Sequence, residues 1–190
     1  GKEQIAGEYQ PGWMLLSYGK KVSVSSSLEG YPAENIVDED ARTAWVAQSN
    51  RDMEWAQVDL QRLSSIHAIQ VNFDEYGANQ KGAVSGVYQS YLIYASVNGE
   101  DWSLVVDYGT KKTDTPHDYI EFEEPFKARY IKLQNKEYTV SENFSVRDLR
   151  IFGKGQGSTP RAVNDFTVER DEADPCKARL CWEAVPDAQG

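Results

Sequence analysis

The chain has 190 residues, enough for one domain of about 100–150 residues and a remainder too short for a second of that size. Thirty acidic against twenty basic residues give a net charge of −10 at pH 7, which argues against nucleic acid and anionic lipid as partners, since both are held largely by Lys and Arg. No apolar run approaches the roughly 18–20 residues that a membrane-spanning helix needs.

Residues 1–12 form a polar lead-in punctuated by Pro11-Gly12. The chain opens at Gly1 without Met or a signal peptide, so its native start is expected upstream, and the lack of a targeting segment says nothing about compartment. From Trp13 the composition turns apolar and then Ser-rich, and Val22-Ser23-Val24-Ser25 alternates as a half-buried strand does. Leu28 to Pro32 is a turn.

The stretch from Glu34 to Trp45 is the most informative. It sets a carboxylate at Asp38 and a hydroxyl at Thr43, with turn-forming backbone between them. A hard cation takes about six to eight oxygens at ~2.3–2.6 Å. A loop folding back on itself can offer the carbonyls of Asn35, Asp40 and Thr43 together with the Asp38 carboxylate and the Thr43 hydroxyl. This is a calcium loop in outline but not an EF-hand, because Thr43 stands where that turn needs Gly and Ser49 where it needs Glu. The competing reading is an acidic surface turn with Asp38 and Asp40 solvated.

Glu54–Leu60 and Ile66–Phe73 read as strands. In the second, His67, Ile69, Val71 and Phe73 share one face by period-2 counting, so His67 is a packed or rim histidine rather than a catalytic one. Asp74–Ser90 is the longest irregular stretch, and loops of that length are uncommon unless functional or disordered. Tyr91–Val97 and the strand from Trp102 to Tyr108 flank an Asn98-Gly99 turn. His117 falls in a polar connection over residues 110–118. Short strands are predicted at Tyr119–Phe122 and Arg129–Leu133, around Glu123-Glu124-Pro125, then a loop over Gln134–Asn143 and a closing strand over Val146–Phe152. Many short strands without a helical period indicate an all-β, antiparallel β-sandwich. Aromatic residues, 12% of the chain with five Trp and eleven Tyr, suit a pleated core.

Residues 154–164 read as a flexible linker. Beyond it, Asp165–Arg170 and Ala178–Glu183 are predicted strands joined by an acidic turn. Cys176 and Cys181 could pair across that turn or remain free thiols, and two cysteines fix no compartment.

No Gly-x-Ser-x-Gly, His-Glu-x-x-His or Gly-rich phosphate loop occurs, so an enzymatic role is not expected. A sugar site needs exposed aromatic faces and a few polar groups, and the loops offer Tyr31, Tyr76, Asn79, Asn143 and Phe144. Taken singly, Tyr31 and Phe144 also suit packing. Trp45, Trp55 and Trp102 are assigned to core and rim. Asn143-Phe144-Ser145 fits a glycosylation sequon.

Asn35-x-x-Asp38-x-Asp40-x-x-Thr43-x-Trp45 resembles the loop of discoidin domains, the coagulation factor V/VIII C-type superfamily that includes family 32 carbohydrate-binding modules. Trp55-x-x-Val58-Asp59-Leu60, Val97-Asn98-Gly99-Glu100-Asp101-Trp102, Ala128-Arg129-Tyr130-Ile131-Lys132-Leu133 and Arg147-Asp148-Leu149-Arg150-Ile151-Phe152-Gly153 follow in the family's order. The resemblance covers residues 13–153 and implies a jelly-roll-like, galactose-binding-domain-like sandwich. It also implies a structural calcium ion to which Asp148, where the family usually has Glu, adds a carboxylate and Arg147 a carbonyl. In family 32 modules that bind galactose the loops bring a His, an Arg, an Asn and an aromatic. Here Tyr31 replaces the His and Asp74-Glu75 follow Phe73 in place of the Arg, leaving Asn79 and Phe144 for the amide and aromatic roles.

Trp182-x-x-Val185-Pro186 resembles the start of a fibronectin type III domain over residues 165–190. The whole is similar to C-terminal regions of family 43 glycoside hydrolases. The implied protein is a non-catalytic, calcium-stabilised carbohydrate-binding module. It would tether a larger secreted, periplasmic or cell-surface hydrolase to polysaccharide, with the glycan and the upstream glycosidase domain as partners and the membrane disfavoured. The alternative is a structural spacer or protein-docking domain.

Overall fold

The computed structural model describes residues 12–80 and 85–155, and the backbone of strands 166–170 and 178–182. The strands are β1 (Met14–Leu15), β2 (Lys21–Val24), β3 (Trp45–Val46), β4 (Trp55–Phe73), β5 (Gln89–Ser96), β6 (Trp102–Tyr108), β7 (His117–Tyr138) and β8 (Ser145–Gly155), followed by β9 (Phe166–Arg170) and β10 (Ala178–Trp182). Short 3-10 turns cover Ala33–Val37 and Ala78–Gln80. All pairings are antiparallel.

The two longest strands serve both layers of a β-sandwich. The first part of β4 pairs with β2 and with the end of β7 (Asp59↔Tyr130), and β5 and β6 extend that layer. The remainder of β4, from Ser64, pairs with β8 and with the start of β7, while β1 and β3 flank β8. Register shifts mark the corner, as expected where strands change sheet. Gln61 takes a left-handed φ of 65° there, and its amide is held 2.7 Å from Asp59 Oδ1. On β7 the pairing jumps from Glu121 to Phe126, leaving Glu123-Glu124-Pro125 unpaired. The predicted break between two short strands is therefore a bend within one strand of 22 residues.

Alternation places Ala56, Val58, Ile131, Leu133, Ile93, Ile69, Val71 and Leu149 in one core between the layers. An aromatic cluster closes one end. Phe144, fully buried, packs on Trp45, Phe73 and Tyr138 with ring centres 5.4–6.0 Å apart. The Trp45 indole N–H donates to the Ser26 carbonyl at 2.9 Å. The Tyr138 hydroxyl donates to the Asp74 carbonyl, and burial pushes that phenol well above its ordinary range.

Two further sequence expectations need correction. The loop predicted over Gln134–Asn143 is strand as far as Tyr138, because β7 continues its ladder with β5 (Gln89↔Tyr138). Asn135, polar yet buried, is accommodated there because its amide donates to the Asn50 and Arg51 carbonyls. His67 does not share the buried face of Ile69, Val71 and Phe73. A register shift between Ile66 and Ala68 resets the alternation, and His67 lies half-buried, stacked on exposed Trp13 at 5.0 Å.

The chain divides into two compact units, Gly1–Gln156 and Gly157–Gly190. In the second, β9 and β10 form an antiparallel pair, with Phe166 opposite Trp182. The expected lead-in over residues 1–11, the body of the linker and Cys176 lie outside the described residues.

Candidate functional site

The loop after the first 3-10 turn is organised around Asp38. Its Oδ1 accepts from the Asp40 amide at 2.8 Å, and its Oδ2 lies 2.7 Å from the Thr43 hydroxyl. That hydroxyl is also 3.0 Å from the Asp40 carbonyl. Asn35 closes the base, its Nδ2 donating 2.8 Å to the Ala44 carbonyl. Glu39, at φ 59°, supplies the left-handed step that a turn this tight requires. The Asp40 carboxylate faces out into a two-point contact with Arg42, both distances 2.9 Å, and that guanidinium lowers its pKa to about 2. Asp40 therefore offers the loop its carbonyl only.

Asp148 approaches from β8. Only 8% exposed, it accepts from Asn72 Nδ2 at 2.9 Å. Burial is the largest influence and raises its pKa. The Asn72 hydrogen bond and Arg150 oppose the rise, while Glu39 and Asp38 add to it by like-charge repulsion. Carboxylates that repel one another beside the Thr43 hydroxyl and the Asp40 carbonyl are oxygen donors of the kind a hard cation takes. Among the described residues no three Asp, Glu, His or Cys side chains converge as in a carboxylate-rich centre, so carbonyls would supply much of the coordination.

The five candidate ligand residues separate in space. Tyr31 and Tyr76 come together, ring centres 4.9 Å apart and edge to face, both half-buried. Asn79 is exposed on the second 3-10 turn, three residues beyond Tyr76. Phe144 is a core residue and presents no face to a ligand. Its amide donates to the Ser49 carbonyl and its carbonyl accepts from the Ala47 amide, both 2.9 Å, and this strand-like pairing turns the ring inward. Asn143 anchors a turn, its Nδ2 donating to the Ala47 carbonyl at 2.8 Å. Trp45 is core as expected, whereas Trp55 and Trp102 stand half-buried on an outer face.

Sequence reasoning missed a pair. The Arg147 guanidinium lies 2.6 Å from Asp74 Oδ1, two residues before Tyr76, and its Nε is buried with no hydrogen-bond partner. Arg147 was expected to contribute only a carbonyl. It is the extra residue of a bulge, since Asn72 pairs with Asp148 and Phe73 with Val146. Bulges re-aim side chains in this way. The residues are 73 apart in sequence, and only the β4–β8 register could have joined them. Tyr31 is tied to the same edge, its carbonyl accepting from the Val46 amide on β3 at 3.5 Å. An aromatic pair beside an arginine–carboxylate pair can meet a sugar's C–H face and its hydroxyls together.

The profile of the family described as F5/8 type C domain matches residues 21–149. Lactadherin of Rattus norvegicus is 33% identical over 110 residues, 54% of this chain and 25% of that protein, so the chain spans about a quarter of that relative's length. Among solved structures, chitosan-binding module 1 of a chitosanase/glucanase from Paenibacillus sp. IK-5 superposes with a TM-score of 0.62 at 20% identity, over 74% of this chain and 99% of that one. The family 32 carbohydrate-binding module of C. perfringens NanJ, in complex with galactose, gives 0.58 at 19%, over 74% and 98%. Both likenesses are of fold.

Proposed function

The chain belongs to the F5/8 type C domain family, and on that premise we propose that it is a non-catalytic carbohydrate-binding module steadied by a calcium ion. The observation that carries the reading is the Tyr31–Tyr76 pair, held half-exposed beside Asp74–Arg147. Aromatic edges and faces take up the apolar side of a pyranose, while a charged pair and the Asn79 amide orient its hydroxyls. The solved neighbours, described as binding chitosan and galactose, lend support by analogy of fold.

The ion would be held by Asp38, Asp148 and the Thr43 hydroxyl, with carbonyls from Asn35, Asp40, Thr43 and Arg147. It would tie the first loop to the last strand of the sandwich and take no part in chemistry. In the full protein the module would hold a secreted glycoside hydrolase, of the family 43 kind, near its polysaccharide and so raise effective concentration. Residues 165–190 would begin a fibronectin type III-like neighbour.

The removal of Phe144 and Asn143 from the loop set favours a second reading, a spacer or docking domain without glycan affinity. A glycan array with calcium present, run on the chain and on Tyr31→Ala and Tyr76→Ala, separates the two. Binding lost in either variant supports the module. Silence across plant, host and microbial glycans leaves the spacer, and binding unchanged in both variants removes the loop site.

A further inference from the structure

Away from the loops, the outer face of the layer containing β5 and β6 carries a second concentration of aromatic and polar side chains. Trp55 and Gln57 stand on β4, Lys132 and Gln134 on β7, Tyr94 on β5 and Trp102 on β6. Cross-strand register sets Trp55 opposite Gln134, and Lys132 between Gln57 and Tyr94. All six are half-buried; the five on β4, β5 and β7 point away from the core, because their neighbours Ala56, Val58, Ile131, Leu133 and Ile93 point into it, and Trp102 joins them through its contact with Lys132. Leu104 beside Tyr94 is 48% exposed.

Lys132 is the centre of this face. Its Nζ lies 4.1 Å from the Trp102 ring centre, 5.7 Å from Tyr94 and 6.0 Å from Trp55. Such contacts hold an ammonium by the negative faces of the rings. Among the described residues no carboxylate pairs with it, although its charged neighbours are matched: Arg129 with Asp59 at 2.9 Å, and Lys136 with Asp52 at 3.2 Å. Desolvation against the rings lowers its pKa, the response of a cation short of a partner. The patch thus holds one uncompensated positive charge in a chain of net charge −10.

Two amides and an ammonium set among aromatic rings on a flat sheet suit a saccharide, whose C–H faces meet rings and whose hydroxyls meet amides. A single free cation matches a single carboxylate, and the overall negative charge repels a polyanion. We propose that this sheet face is a second saccharide-binding surface, for a largely neutral glycan with one uronic acid per site. The carboxylate pairs with Lys132, and adjoining sugar rings lie against Trp55, Tyr94 and Trp102. No residue of the loop site takes part, so this surface stands or falls independently of it.

The test is calorimetry combined with tryptophan-fluorescence titration on the full chain. The probes are a neutral xylo-oligosaccharide bearing one glucuronic acid, its undecorated parent, and an oligogalacturonate. The decorated sugar is expected to bind about tenfold or more tighter than its parent, the scale of one added charged hydrogen bond. Lys132→Met removes that difference, and Trp102→Ala weakens both ligands. Should Trp102→Ala fail to fold, by its melting curve, Tyr94→Ala and Lys132→Met carry the comparison. Equal affinity for decorated and plain sugars, preference for oligogalacturonate, or no binding at millimolar ligand overturns the proposal. So does self-association that Lys132→Met or Tyr94→Ala abolishes, which would make the face an interface between copies.

Discussion

Asp148 is 8% exposed, its carboxyl pushed above the ordinary range by burial, with Glu39 and Asp38 adding repulsion. A carboxyl raised in this way adds stability below its unfolded pKa of about 3.9 and loses that contribution as pH rises through the folded value. At neutral pH the ionised group is therefore a cost to the cation-free fold. Asp148→Asn is expected to melt higher than the unsubstituted chain at pH 7 in a chelator. Calcium at a hundredfold above its dissociation constant should raise the unsubstituted melting temperature by roughly 5–10 °C. It should leave Asp148→Asn and Asp38→Asn nearly unmoved. A melting temperature indifferent to chelator and calcium alike would remove the ion from the proposal.

Between elements, the tightest constraint is where β8 crosses β4. A Cβ built on Gly153 would come within 1.9 Å of the Ser65 carbonyl oxygen, so only glycine lets these strands pair with Ile66 opposite. Gly153→Ala is expected to cost about 1–3 kcal/mol or more by denaturant titration. Gly155→Ala on the same strand, where a Cβ meets nothing within 4 Å, should be near neutral. Matching midpoints for the two would show that the strands can part without penalty. Elements whose alternation of burial runs uninterrupted, such as Val22–Val24 and Tyr91–Ala95, were legible from sequence because period two alone fixes their faces. The Asp38–Thr43 turn was legible because its bonds are local. What was not legible lies at irregularities of register. The bulge near His67 reverses a face, and the one at Arg147 aims a guanidinium at Asp74. Phe144 looked like a loop aromatic because nothing nearby in sequence reveals that Ala47 and Ser49 pair with its backbone.

For the molecule as a whole, charge decides which surfaces it can approach. At −10, with interactions screened over about 8 Å in physiological salt, the chain should be repelled by anionic bilayers. Among the described residues no helix is long and apolar enough to cross a membrane. In co-sedimentation with phosphatidylserine-containing vesicles the protein is expected to stay in the supernatant. Firm pelleting would reverse the preference for glycan over lipid.

Because β4 and β7 each run through both layers, neither layer has a complete set of its own strands. The time course of folding follows from this. The pairing of Met14 with Gly153 and of Trp45 with Val146 joins parts of the chain made far apart, and such non-local topologies fold in roughly milliseconds to seconds rather than microseconds. During synthesis β4 emerges early and waits for β7 and then β8, its apolar edge uncovered until the last of them leaves the ribosome. The interval before Gly153 arrives is when this domain is most exposed to aggregation and has most need of a chaperone.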